Sequence, residues 1–265
     1  MQDQREMTVL GVPLRRSSSL ASQSSEPHNQ NCPNIRRGWC KSCTCDRCQN
    51  GTIIRRENGL VISRPCSCMK IAYSRHLLEV CGLDKLAERC TFSSYMPREE
   101  WQQGVKEKAL EYAANWRRSS FFISGPTGCG KTHVCTAICN AAVQDGASLR
   151  YFRWVEDGIR IKELVTDAAA YKREVDSLAG CDLLYIDDMF KTECSSADLR
   201  LAYEVINSRY IAGRPVIISS ERSLSFVGGL KGKDGEAIAG RIFEMCGKGR
   251  FCLAIAGEGK NQRLR

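Results

Sequence analysis

Hydrophobic and polar positions follow three different rhythms along this chain, and each predicts a different kind of structure. From about residue 105 onward, short apolar runs recur at 121–124, 149–152, 183–186, 216–218 and 251–255. Amphipathic stretches at helical spacing separate most of them. Runs this short and this apolar read as strands buried on both faces. Strands alternating with helices predict an α/β fold, a parallel sheet with helices on both faces and right-handed crossovers. Upstream, Ile71, Leu77, Leu78 and Val80, then Leu83, Leu86 and Ala87, fall at helical spacing, with Gly82 breaking the run. Further upstream, TIIRRENGLVISR alternates at period two about Glu57-Asn58-Gly59, the pattern of a hairpin. The first thirty residues keep neither period and are rich in Ser, Gln, Asn and Glu. They cannot bury enough surface to offset ordering entropy and read as a flexible tail. The chain thus divides into a tail at 1–30, a small module at 31–70, a helical linker at 71–104 and an α/β domain at 105–265.

Composition narrows the class. Apolar residues make up 43% and charged residues 26%, enough for a sizeable core and too apolar for a disordered chain. No apolar run reaches the roughly 18 residues of a membrane-spanning helix, and the N-terminus lacks the apolar centre of a secretory signal. The expectation is a cytoplasmic protein with no membrane partner. The net charge of +9 is uneven: residues 1–70 carry 11 Lys and Arg against 5 Asp and Glu, and the rest carry 28 against 25. A basic excess of this kind favours a polyanionic partner such as nucleic acid.

Sixteen cysteines in a reducing compartment point to metal or catalysis before disulfides. Seven of them lie within 31–70, spaced Cys40-x2-Cys43-x-Cys45-x2-Cys48, then Cys66-x-Cys68, with Cys32 apart. A C-x2-C knuckle lets two thiolates converge on one ion, and two such corners flanking a hairpin complete a tetrahedral zinc site. The most economical ligand set is Cys45, Cys48, Cys66 and Cys68. Cys40 and Cys43 form a competing knuckle that can replace the first pair. The neighbours Lys41, Ser42, Thr44, Asp46, Arg47 and Gln49 are polar, which argues against a packed core and for a closed structural Zn²⁺ site. An iron–sulfur cluster is the rival reading. Cys81, Cys90, Cys135, Cys139, Cys181, Cys194, Cys246 and Cys252 are scattered, mostly in apolar contexts, and read as core.

Residues 121–132 read FFISGPTGCGKT, an apolar strand running into Gly125-x4-Gly130-Lys131-Thr132. The glycines let the backbone wrap a phosphate with its N–H groups inward, at the start of a helix whose dipole favours anions. Gly125, Pro126, Thr127, Gly128, Cys129 and Gly130 would form this cradle. Lys131 would reach the β- and γ-phosphates of ATP, and the Thr132 hydroxyl would hold Mg²⁺. A second piece, LLYIDD at 183–188, is an apolar strand ending in carboxylates. Asp187 is the natural Mg²⁺ partner, and Asp188 the group to orient or deprotonate the attacking water. A third, PVIISSE at 215–221, ends in Ser219 and Ser220, which can hold the water or the γ-phosphate. A fourth, Arg241 on a late helix, can reach the γ-phosphate of a neighbouring subunit.

Taken together, GPTGCGKT, LLYIDD, PVIISSE and AGRIFEMC resemble the AAA+ ATPases of the DnaC/DnaI helicase-loader family. CDRCQNG and RPCSC look like the zinc module that precedes many loader-type ATPases. The stretch LLEVCGLDKLAERCTFSSYMP is similar to the segment joining module and ATPase, with Thr91, Phe92 and Tyr95 as its signature. The resemblance covers roughly residues 40–265. It implies an ATPase that binds a hexameric replicative ring helicase through its N-terminal module and self-assembles through its AAA+ domain on single-stranded DNA. Lys131, Asp187, Asp188 and Arg241 would be its catalytic residues, with Arg241 the finger acting across subunits. The same resemblance places DNA-contacting helices around Arg153, Arg160, Lys162, Lys172 and Arg173. Two positions depart from the pattern. Asp188 stands where most relatives have the longer Glu. One methylene shorter, it is expected to place the water less well, which fits a slow, switch-like ATPase. Glu221 stands where an Asn is frequent. An anion near the γ-phosphate is unfavourable, so Glu221 is expected to point away. An IstB-like transposition helper acting on duplex DNA with a transposase shares the same core and is the alternative. A small-molecule kinase would need a substrate pocket and a basic lid that the sequence does not display.

Overall fold

The computed structural model describes residues 8–9, 12–13, 52–57, 60–230, 233–257 and 259–264. The tail expected at 1–30, apart from a two-residue ladder between Thr8–Val9 and Val12–Pro13, lies outside them. So do Cys40, Cys43, Cys45 and Cys48.

The hairpin forms as its alternation predicts. Strands β1 (Thr52–Glu57) and β2 (Leu60–Pro65) pair antiparallel, from Thr52 opposite Pro65 to Glu57 opposite Leu60. Helix α1 (Ser67–Val80) follows at once, and α2 (Asp84–Arg89) after a turn at Gly82, whose φ of 75° is the left-handed conformation that ends a helix. Leu83 then drops into the core, fully buried. The amphipathic run that Gly82 interrupts is therefore two helices. Helix α3 (Glu100–Ala114) begins where the Gln102 side chain reaches back to the N–H groups of Arg98 and Glu99, satisfying donors that the first turn leaves open.

The remaining elements alternate: β3 (Phe121–Ser124), α4 (Lys131–Gln144), β4 (Leu149–Arg153), α5 (Trp154–Glu163), α6 (Ala168–Gly180), β5 (Leu183–Met189), α7 (Ser196–Ile211), β6 (Val216–Ser220), α8 (Leu224–Gly228), α9 (Lys233–Met245) and β7 (Cys252–Ala254). The five strands form one parallel sheet in the order β4-β5-β6-β3-β7. Every residue of β3 and of β6 is buried, as continuous apolar runs require when helices cover both faces. Because the strands are parallel, their C-terminal tips share one edge, where ligands of open α/β sheets bind. Among the described residues, no helix is long and apolar enough to cross a membrane.

Strand β5 departs from expectation. Instead of stopping at Ile186, it continues through both carboxylates to Met189, with a register shift against β6 between Ile186 and Met189. Asp188 takes φ 54° within this bulge, a left-handed conformation that Asp tolerates better than most residues. The bulge takes Asp188 out of simple strand alternation, while Asp187 keeps its register with β4, and both lie at the functional edge.

Candidate nucleotide site

Residues 125–130 link the buried tip of β3 to the N-terminus of α4. Gly128 and Gly130 have φ of 77° and 93°, which glycine adopts without strain. Gly130 is also pressed by Tyr95, whose ring edge would lie 3.3 Å from an added Cβ. Tyr95 in turn stands edge-on to His133 at 5.2 Å, so the TFSSY segment ending the linker packs against the start of α4. Burial, with a smaller contribution from Cys129, pushes the Tyr95 phenol up to about 12, and it stays protonated. Lys131 is only 5% exposed and curls back to donate Nζ to the carbonyls of Gly125 (2.8 Å) and Pro126 (3.0 Å). A fixed ammonium thus sits within a loop of backbone at a helix N-terminus, the arrangement that neutralises bound phosphate. Burial raises the Cys129 thiol, outweighing the nearby Lys131 charge, so the cysteine of the loop is a neutral thiol.

Asp187 gathers four hydroxyls. Tyr185 (2.7 Å) and Ser219 (2.5 Å) donate to its Oδ1, Tyr151 donates to Oδ2 at 2.9 Å, and Thr132 Oγ1 lies 3.4 Å from Oδ1. Burial, and then neighbouring negative charge, hold the phenols of Tyr151 and Tyr185 well above their usual value, so both are donors. The two residues expected to hold Mg²⁺, Thr132 and Asp187, are therefore adjacent although fifty-five positions apart in sequence.

Asp188 is tethered differently. Its N–H donates to Ser219 Oγ (3.0 Å), and its carboxylate accepts from Lys191 Nζ (2.7 Å), a bond that raises the Lys191 pKa. Lys191 also lies 3.9 Å from Glu221, which accepts a hydrogen bond from Thr127 of the phosphate loop at 2.5 Å. A polar chain from Asp188 through Lys191 and Glu221 to Thr127 thus ties the tips of β5 and β6 to the loop. Glu221 turns toward the site, contrary to expectation, because Lys191 offsets its charge and Thr127 supplies a donor. Ser219 and Ser220, the residues expected to hold the water or the γ-phosphate, lie at the tip of β6 beside this polar chain. Both are fully buried: Ser219 braces Asp187 and Asp188, while Ser220 donates to the Met189 carbonyl (2.6 Å) and accepts from the Arg222 N–H (3.0 Å). The β5 bulge leaves ladder groups unpaired, and these hydroxyls replace the missing partners.

Arg241 sits on α9, half-buried and held by its own chain. It donates to Asn207 Oδ1 (2.9 Å) and the Ala237 carbonyl (3.1 Å), with its guanidinium 5.1 Å from the Tyr203 ring and 5.7 Å from Tyr210. Of the basic residues from the end of β4 to the start of β5, Arg153 and Arg160 pair with Asp157, Lys162 with Asp198 and Lys172 with Asp176. Cys66 is the buried residue preceding α1 and Cys68 lies in its first turn. Their expected partners Cys45 and Cys48 lie outside the described residues, among which no cluster of three or more His, Cys, Asp or Glu is placed to hold a metal.

Sequence reasoning missed Tyr151, Tyr185 and Lys191. Tyr185 lies two residues before Asp187 on a strand, hence on the same face, and Lys191 follows Asp188 by three, so both carried a local signal. Tyr151 becomes a partner only because β4 pairs with β5 and sets Tyr151 opposite Tyr185.

The chain matches the IstB-like ATP binding protein family over residues 74–242. It is 30% identical to the phage-like element PBSX protein XkdC of Bacillus subtilis (strain 168), over 83% of this chain and 86% of XkdC. It is 26% identical to the replicative helicase loader DnaC of Escherichia coli (strain K12), over 51% of this chain and 56% of DnaC. A crystal structure of the DnaC helicase loader superimposes with a TM-score of 0.57 at 20% identity, over 65% of this chain and 99% of that one, a likeness of fold. The matched span encloses the phosphate loop, Asp187 and Ser219, and the chain belongs to the IstB-like ATP binding protein family, an ATPase of AAA+-like fold.

Proposed function

We propose that this protein is an ATP-dependent loader. It binds a hexameric replicative ring helicase, assembles through its AAA+ domain on single-stranded DNA during replication initiation, and uses ATP hydrolysis as a switch. The observation that carries the switch is the Asp188–Lys191 bond. The group expected to align the attacking water is neutralised by a lysine of its own chain, which suits slow hydrolysis released by assembly. The relation to DnaC supplies the class of partner. In this reading residues 125–130 cradle the phosphates, Lys131 neutralises the β- and γ-oxygens, and Thr132 and Asp187 hold Mg²⁺. The ion, when bound, screens charge between those oxygens. Arg241 leaves Tyr203 and Asn207 to reach the nucleotide of the next subunit.

Light scattering on a sizing column tests the loader directly. Mixed with the host replicative helicase and ATP–Mg²⁺, the protein is expected to co-elute at a mass above the helicase hexamer. Elution of the helicase alone, with and without nucleotide, rejects the proposal. The family match favours one second reading, a transposition helper working with a transposase. Tighter binding to duplex than to single-stranded DNA of equal length would select it.

The N-terminal module is proposed to be closed by Zn²⁺ on Cys45, Cys48, Cys66 and Cys68, with Cys40 and Cys43 as the alternative first pair. Cys66 and Cys68 follow the hairpin directly, where a second knuckle belongs, and four thiolates suit zinc. Titrating the thiols with a mercurial is expected to release about one zinc per chain, which a colorimetric chelator detects. Release of none would remove the metal from the proposal.

A further inference from the structure

Beyond β7, which runs parallel to β3, described residues of the chain contact the phosphate loop. Ile255 donates its N–H to the Ser124 carbonyl at 2.8 Å, and a Cβ placed on Gly125 would lie 2.8 Å from Ile255 Cβ. Further along, the Gln262 N–H donates to the Gly128 carbonyl at 3.0 Å. The Asn261 carboxamide lies against Gly128, so close that a Cβ there would fall 1.9 Å from Oδ1. The same Oδ1 accepts from the Arg263 N–H at 3.0 Å and so shapes the turn that presents Gln262. A second anchor lies one residue earlier. Lys260 Nζ is 3.4 Å from Glu99 Oε2 and 4.9 Å from the centre of the Trp101 ring, at the start of α3.

We propose that residues 259–264 are a strap that positions the phosphate loop for nucleotide, with the Gln262 backbone as the positioning group and Asn261 and Lys260 as its supports. Planarity of the peptide decides the direction of the effect. When the Gly128 carbonyl points outward to the strap, the N–H of Cys129 on the same peptide unit points the opposite way, toward the Pro126 carbonyl across the loop at a long 3.4 Å, a bond weak enough to yield to a phosphate oxygen. Fixing the carbonyl outside therefore presents the amide inside, where phosphate oxygens bind. The strap thus strengthens nucleotide binding; it is not a competitor for the site. Gly128 is required twice over, by its φ of 77° and by the carboxamide against its Cα. The inference rests on ATP binding and is independent of which partner is loaded.

The test uses the full chain and a fluorescent ADP probe, with wild-type binding measured first. Gln262→Pro removes the N–H donor and is expected to weaken probe binding about fivefold, raising KM for ATP while leaving kcat within about twofold. Lys260→Glu, which repels Glu99, is expected to weaken binding about threefold, and adding Glu99→Lys to restore most of it. Wild-type affinity in Gln262→Pro, or a loss in kcat with KM unchanged, overturns the proposal. Should Gln262→Pro fail to fold, judged by thermal unfolding without nucleotide, the charge pair decides alone: equal affinity for wild type, Lys260→Glu and the double variant overturns it.

Discussion

Asp187→Asn is expected to lower ATP hydrolysis by about 100-fold or more while leaving the protein folded. The carboxylate sits at the tip of β5 beside Thr132 and accepts from Tyr185, Ser219 and Tyr151. An amide keeps one acceptor oxygen, and a hydroxyl facing its NH₂ can rotate to accept, so the packing survives with a net loss of about 1 kcal/mol. What the amide lacks is charge. In the proposed site a hard cation shared with the Thr132 hydroxyl and ATP would be held mainly by that negative charge, and without it the developing charge on the phosphates would go unscreened. The comparison is steady-state hydrolysis at saturating ATP–Mg²⁺ alongside binding of the ADP probe. More than one tenth of wild-type turnover would refute the assignment of Asp187 to the metal.

Arg209→Met is expected to cost about 3–5 kcal/mol of stability with no residue of the nucleotide site touched. Arg209 lies in the C-terminal part of α7 and is fully buried. Its guanidinium donates to the carbonyls of Leu178 (2.8 Å), Ala179 (3.2 Å), Cys181 (3.1 Å), Asp182 (3.2 Å) and Pro215 (2.5 Å). These carbonyls close the C-terminal end of α6 and lead into the first residues of β5 and of β6. Helix ends leave carbonyls without intrahelical partners, and their partial negative charge favours a cation. Burial draws the Arg209 pKa down, yet a guanidinium remains charged at neutral pH. Methionine fills similar volume but abandons five acceptors in a dry interior. A melting temperature lower by about 10 °C follows from that cost in a chain of this size. Arg209→Lys should recover less than half, since an ammonium has three donors from one point and cannot span the starts of two strands. A shift under about 2 °C for Arg209→Met would show that water replaces the guanidinium.

Arg209 and Arg241 illustrate where sequence reasoning stops. Both are arginines on helices, and neither residue type nor charge separates them. One is an internal clamp with no exposed surface, and the other lies half-exposed against two tyrosines. The phosphate loop was legible because its parts are contiguous: strand, glycines, lysine and helix follow within a dozen residues, and each demands a backbone that only this order supplies. Asp187 was legible as a carboxylate closing an apolar run. That β5 bulges at Asp188, and that Ser219 and Ser220 brace the bulge, was not. Those facts depend on β6 lying beside β5, and strand order is not written in strand periodicity. Glu221 was read as a misplaced anion because the sequence shows its charge without Lys191 and Thr127 beside it.

The sequence by itself determined the class of this protein. Local periodicity dictates which segments become buried strands and covering helices, and a contiguous glycine-rich loop at a strand-to-helix junction dictates a phosphate site, since both follow from interactions between near neighbours in the chain. Only the tertiary structure decided the occupants of the site's edge: which hydroxyls surround Asp187, which lysine restrains Asp188, and that a segment more than a hundred residues downstream clasps Gly128. Those pairings join residues far apart in sequence, and they form only once the sheet has chosen its strand order and burial has removed water as the competing partner.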